Sequence, residues 1–212
     1  PTPLTGPTPV QRASFPRLRY LGSFRGLYLL AEAGDELYVV DQHAAHERIL
    51  YEELSRRYLE EAPLELPHPE LVSLSLGEEL NFAERAQELE QAGLCLEPFG
   101  PGKYRIRTIP AFLAGHPSLI PEVVKGSLGT PNFSEAWRNV LARLACLPAI
   151  KAGHPLTGAS AQALLDALAE CALPWVCPHG RPTVLVMSEL ELARRFGRRG
   201  LRAVERFRVE KT

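Results

Sequence analysis

The stretch Glu36-Leu37-Tyr38-Val39-Val40-Asp41-Gln42-His43-Ala44-Ala45-His46-Glu47 changes its period halfway through, and that change decides the fold class. Glu36 to Val40 is an apolar-rich run that mirrors Leu27 to Ala31 across Glu32-Ala33-Gly34-Asp35. The pair reads as a β-hairpin turning on Gly34 and Asp35. From Ala44 to Tyr58 the apolar residues Leu50, Leu54 and Tyr58 recur every fourth position, which is helical spacing. A strand therefore passes the chain straight into a helix, and the fold is predicted to be α/β.

On the N-terminal side, Leu18 to Phe24 adds a third strand, and residues 1–16, with their Pro, Thr and Gly, read as a linker following an earlier domain. On the C-terminal side, Pro63, Pro67 and Pro69 break the helix, and Leu71 to Leu76 alternates like a strand. Ser75-x-x-Glu78 is a capping box for a helix to about Gln91, which Gly93 ends. Leu94 to Leu96 and Tyr104 to Ile109 are predicted strands around Gly100-Pro101-Gly102, and a proline-rich stretch runs on through Pro131. Helices follow from Ser134 to about Ala145 and from Thr157 to about Cys171. A loop from Cys177 to Pro182, a strand from Thr183 to Met187 and a helix opened by the box Ser188-x-x-Glu191 complete the chain.

Composition narrows the function classes. A chain of 212 residues with 45% hydrophobic content builds a core without staples. No apolar run reaches bilayer length and no leader pattern is visible, so a soluble, cytoplasmic protein with no membrane partner is expected. Cys95, Cys146, Cys171 and Cys177 are too sparse for a disulfide framework and are expected to be free thiols or metal ligands. The net charge of −1 lacks the basic excess that drives DNA binding by counterion release. Charge is segregated all the same. Nine Glu face one Arg between Glu61 and Glu97, whereas Arg194, Arg195, Arg198, Arg199, Arg202, Arg206, Arg208 and Lys211 crowd the C-terminus. That basic tail is either a solvated helix face or an edge that faces phosphates.

Two segments have the residue types for chemistry. His43 and Glu47 lie four apart, on one helix face, with Asp41 at the strand end beside them. Imidazole suits zinc and its neighbours, and carboxylate also accepts manganese or magnesium, so the set fits a catalytic ion. The plainer reading is a polar helix start in which Asp41 caps and Glu47 is solvated. His46 lies off that face and is expected at the surface or behind the ligands. In Cys177-Pro178-His179-Gly180-Arg181-Pro182, a Cys and a His two apart reach one metal if Pro178 and Gly180 hold a turn, and Arg181 offers a phosphate fork. A buried Cys beside a capping His is the structural alternative. Other metal motifs fail: position 50, where a His-Glu-x-x-His protease needs its second His, is Leu50, and the Pro-Cys-x-x-Cys of cytidine deaminases is absent.

The string Asp41-Gln42-His43-Ala44-x-x-Glu47-x-x-x-x-Glu52 resembles the signature of endonuclease-active MutL mismatch-repair proteins. Ala145-Cys146, Cys177-Pro178-His179-Gly180-Arg181-Pro182 and Phe196-Gly197-Arg198 are similar, in order, to the further elements of that family, so the resemblance runs from about Arg17 to Arg199. It implies that His43, Glu47, Cys146, Cys177 and His179 surround one or two ions, zinc held tightly and Mn²⁺ or Mg²⁺ supporting cleavage. Asp41 and Glu47 are then the catalytic carboxylates, and Arg181 and Arg198 face DNA phosphates. One departure is Leu147, where the family usually has a basic residue, with Lys151 one helical turn on. Glu61-x-x-Leu64-x-x-Pro67 is similar to the family's sliding-clamp-binding segment but begins with Glu instead of Gln.

The resemblance further implies double-stranded DNA, the replication sliding clamp (β clamp), MutS and a second copy of the chain as partners, and a nucleoid-associated place in the cytoplasm. The architecture expected is a two-lobed α/β domain. Residues 17–60 and 145–212 form a dimerisation and endonuclease lobe, and residues 61–144 an inserted regulatory lobe. The alternative from another class is a non-catalytic dimerisation and partner-docking module whose zinc is structural.

Overall fold

Two tight turns build the first sheet. Strand β1 (Arg19–Phe24) returns into β2 (Tyr28–Ala33) through Arg25 and Gly26, both left-handed at φ 55° and 63°. Positive φ at both central residues matches the twist of a hairpin. Gly34, at φ 56°, turns β2 into β3 (Glu36–Asp41). The structure, a computed structural model, describes residues 15–129, 132–150 and 155–198. It is α/β, as the change of period at Asp41 predicts.

The chain forms two compact units, Pro1–Arg48 with Ile150–Thr212, and Ile49–Ala149. The division falls inside helix α1 (Gln42–Glu60), not at its end, and Ala145 to Ala149 go with the second unit. In the first unit the sheet order is β1-β2-β3-β7, all antiparallel, with β7 spanning Val184–Ser188. Leu29, Ala31, Tyr38, Val40 and Val184 point to the buried face, which α5 (Gly158–Ala169) helps to cover with Ala161, Leu164, Leu165 and Leu168. The carboxamide of Gln162 completes the free edge of β1 by accepting from Tyr20 N–H at 2.9 Å and donating to the Leu18 carbonyl at 2.8 Å. An edge strand paired in this way offers less to a foreign strand. Helix α6 (Glu189–Arg195) follows Ser188, whose hydroxyl accepts from Glu191 N–H; the Glu191 carboxylate pairs with Arg195, so only half of a capping box forms.

In the second unit the sheet order is β4-β6-β5: β4 (Leu64–Ser73), β5 (Cys95–Gly100) and β6 (Lys103–Ile109). Helix α2 (Leu76–Gln91) opens with the full Ser75/Glu78 capping box and stops at Gly93, φ 86°. Helices α3 (Ile120–Leu128) and α4 (Phe133–Cys146) pack on a core of Leu89, Leu94, Ile106, Leu113 and Trp137.

Phe15 packs edge-on against Trp175 at 4.8 Å and Tyr38 at 6.5 Å, and residues 1–14 lie outside the described residues. Two expectations need correction. The strand expected at Leu71 begins at Leu64 and passes Pro67 and Pro69, since β4 is an edge strand whose register shifts between Glu65 and Glu70. Proline is tolerated where no ladder hydrogen bond is required of it. The proline-rich stretch before Pro131 contains α3, with Pro121 in its first turn, where the missing N–H has no intrahelical role.

Candidate metal centre

Asp41 ends β3 and caps α1. Its Oδ1 accepts from the backbone N–H of His43 at 2.9 Å and of Ala44 at 3.0 Å. Two orphan donors of the first turn are thereby satisfied, which fixes where the helix starts and where His43 and Glu47 point. The plainer reading of this stretch is thus half true: Asp41 does cap. Glu47, however, is not solvated; it is 6% exposed.

A buried carboxylate is costly unless positive or hydrogen-donating groups meet it. Glu47 meets two imidazoles. Nε2 of His43 lies 3.3 Å from Oε1, and Nδ1 of His179 lies 3.5 Å from Oε2. Nδ1 of His43 is 2.9 Å from the carbonyl oxygen of Ile150. A carbonyl only accepts, so Nδ1 bears a hydrogen, and Nε2 on the far side of the ring faces a carboxylate oxygen. Two electron-rich atoms at that separation are stabilised by a positive species, either a proton on the ring or a metal ion held by both. A histidine whose far nitrogen donates to a carbonyl is the usual support of a metal-ligating imidazole. The donor set of two imidazoles and a carboxylate suits a divalent transition ion.

The loop that presents His179 is closed by its own backbone. Cys177 N–H donates to the Arg181 carbonyl at 2.8 Å, and Gly180 N–H donates to the Cys177 carbonyl at 3.0 Å. Gly180 takes φ 81°, and Val176 bridges Pro182. Pro178 and His179 therefore sit at the tip of a tight turn. Two ties anchor that turn beside α1: Asp41 N–H donates to the Thr183 carbonyl at 2.9 Å, and Arg48 Nε donates to the Val176 carbonyl at 2.6 Å. Arg48 is 5% exposed, and the sequence reading misses it. The available signal is its position four residues after Ala44, on the inward face that the two alanines mark.

Cys177 is buried, and among the described residues its sulfur does not group with the Glu47 carboxylate and the His179 ring at ligand separation. Cys146 ends α4 in the second unit, half-buried, and Leu147 after it is exposed. Arg181 is exposed on the loop; Arg198 is exposed with its guanidinium 5.9 Å over the Phe196 ring. Lys151 and the basic residues from Arg199 onward lie outside the described residues. In the second unit Glu61 pairs with Arg57 at 2.8 Å, Leu64 opens β4, and Pro67 lies in the register shift of that edge strand. All three are exposed.

Over residues 21–156 the sequence matches the family model described as the MutL C terminal dimerisation domain. The DNA mismatch repair protein MutL of Thermus thermophilus is 56% identical over 199 residues, which covers 94% of this chain and 36% of that protein. The MutL proteins of Thermus aquaticus and Deinococcus radiodurans are 50% and 51% identical, covering 97% and 98% of this chain and 37% of each relative. The chain spans little more than a third of the length of these curated relatives.

Proposed function

The chain belongs to the MutL C-terminal dimerisation domain family of mismatch repair, and on that footing we propose that it nicks one strand of DNA by metal-assisted phosphodiester hydrolysis and joins two copies of the protein. The observation that supports the nicking reading is the buried Glu47 carboxylate facing Nε2 of His43 and a second imidazole from His179. His43, Glu47 and His179 would hold a divalent ion, which would supply activation of water and relief of the charge on the phosphate. A thiolate from Cys146 would suit zinc, and the oxygen-rich side at Asp41 and Glu47 would suit Mn²⁺ or Mg²⁺.

In the hydrolysis, the water oxygen bonds to phosphorus as one P–O bond to the sugar breaks, and the water's protons end on the departing oxygen and in solvent. Asp41 orients the water. The exposed guanidinium of Arg181, next to the His179 turn, holds a non-bridging phosphate oxygen, with Arg198 as a second contact. The net charge of −1 makes unassisted DNA binding weak. Recruitment falls to partners: the sliding clamp on the exposed edge segment Glu61–Pro67, and MutS, in the cytoplasm at the nucleoid. Among the described residues no helix is long and apolar enough to cross a membrane.

One observation favours a non-catalytic module with structural zinc: Oδ1 of Asp41 is engaged in the helix cap. Incubation of supercoiled plasmid with the chain and Mn²⁺, with and without sliding clamp, separates the readings. Nicked circles that vanish on chelation are expected. Zinc-loaded protein that cleaves under no metal leaves the non-catalytic reading in place.

A further inference from the structure

Ile150 offers its two backbone groups to two histidines of α1. Its carbonyl accepts from Nδ1 of His43 at 2.9 Å, and its N–H donates to Nδ1 of His46 at 2.9 Å. Residues three apart on a helix are neighbours, so the two rings stand side by side and receive one residue as a strand would receive its partner. The consequence for the rings is opposite. His43 must bear its hydrogen on Nδ1, whereas His46 accepts at Nδ1 and, when neutral, bears its hydrogen on Nε2.

The tautomer of His43 matters because Nε2 faces Glu47. With hydrogen on Nδ1, Nε2 presents a lone pair that can ligate. With hydrogen on Nε2, the ring donates to the Glu47 carboxylate and closes that position to a metal. The carbonyl of Ile150 selects between these forms, and the grip of His46 on the N–H of the same residue holds that carbonyl in place.

We infer that His46 is a positioning residue for the metal centre: by fixing Ile150 it keeps His43 in its metal-competent tautomer. The inference rests on the reading of Glu47 and His43 as ligands but makes a claim about the metal-free protein. Loss of a group behind a ligating histidine weakens metal binding by about tenfold to a hundredfold.

The test is nitrogen-15 imidazole NMR on the metal-free 212-residue chain at a pH where the rings are neutral, paired with Zn²⁺ and Mn²⁺ titrations. Wild type shows His43 with hydrogen on Nδ1. His46→Ala shifts the ring toward the Nε2–H form and raises the metal Kd about tenfold. His46→Asn restores both, because its Oδ1 accepts from the Ile150 N–H where Nδ1 did. An unchanged tautomer in His46→Ala overturns the inference. So does a folded His46→Asn, verified by circular dichroism, that fails to restore the tautomer. Wild type with the Nδ1–H form but no uptake of either ion supports the His46–His43 link while removing the metal centre itself.

Discussion

Nε2 of His43 lies 3.3 Å from Oε1 of Glu47, while Nδ1 of the same ring is held 2.9 Å from the carbonyl of Ile150. The ring thus bridges a backbone carbonyl distant in sequence and a carboxylate that is 6% exposed. A positive species between ring and carboxylate, a proton or a metal ion, offsets the cost of burying that charge.

Glu47→Gln keeps the shape and removes the charge. The metal-free protein should melt at the same temperature or higher, because the desolvation penalty of the carboxylate is gone. The stabilisation a ligand confers at a hundred times its Kd, about 2.7 kcal/mol, should disappear for Zn²⁺ and Mn²⁺. Thermal melts with and without each ion read both effects. A variant that keeps the full metal-induced shift excludes Glu47 as a ligand.

The parts legible in the sequence are those set by local physics. The hand-over at Asp41 shows as a short apolar run giving way to apolar residues every fourth position, and the α2 start shows as Ser75 with Glu78 because both caps are satisfied within one turn. The parts that are not legible depend on position in the fold. Pro121 reads as a breaker yet sits in the first turn of α3, and Pro67 and Pro69 read as linker yet lie in an edge strand. The site divides the same way. His43 and Glu47 are visible as a helical pair, but the burial of Glu47 and the bracket on Ile150 exist only once residues from the C-terminal part of the unit pack against α1.

Asp41 serves the helix and, on the proposed reading, the reaction, and two substitutions separate the roles. Asn caps as well as Asp, so Asp41→Asn should leave stability within a few tenths of a kcal/mol. Asp41→Ala leaves His43 and Ala44 N–H without their acceptor and should cost about 1 kcal/mol. Both should abolish Mn²⁺-dependent nicking. Urea melts beside the plasmid assay check this, and an Asp41→Asn protein with full activity refutes a catalytic carboxylate at this position.

Tyr38, on the strand that delivers Asp41, makes stability depend on alkaline pH. Burial, then the hydrogen bond its hydroxyl donates to Glu36 at 2.7 Å and the Glu36 charge, push its pKa up to about 12. The unfolded phenol ionises near 10. The raised value belongs to the folded state, so the contribution is fully present below about pH 10 and is lost as pH rises through about 12. The melting temperature should therefore fall across that window, and Tyr38→Phe should flatten the fall. Parallel slopes for the two proteins would place the alkaline sensitivity elsewhere.

The sheet of the first unit is apolar on both faces, which one set of covering helices does not satisfy. Leu29, Ala31, Tyr38, Val40 and Val184 are buried on one face; on the other, Leu30, Val39 and Leu185 lie in cross-strand register with Leu185 63% exposed. Phe24 and Tyr28 extend that exposed face at the β1–β2 end. If two copies of the chain meet on this exposed face, the contact is isologous and each substitution enters twice. Leu185→Glu would then bury an unpaired charge from each subunit. At about 3–5 kcal/mol for a buried charge without a partner, the dimer dissociation constant should rise by at least about a hundredfold. The isolated subunit should hold its stability, since Leu185 is already exposed there. Analytical ultracentrifugation across a concentration series reads the change. A wild type that stays monomeric, or a Leu185→Glu dimer with an unchanged dissociation constant, removes this face as the dimer contact.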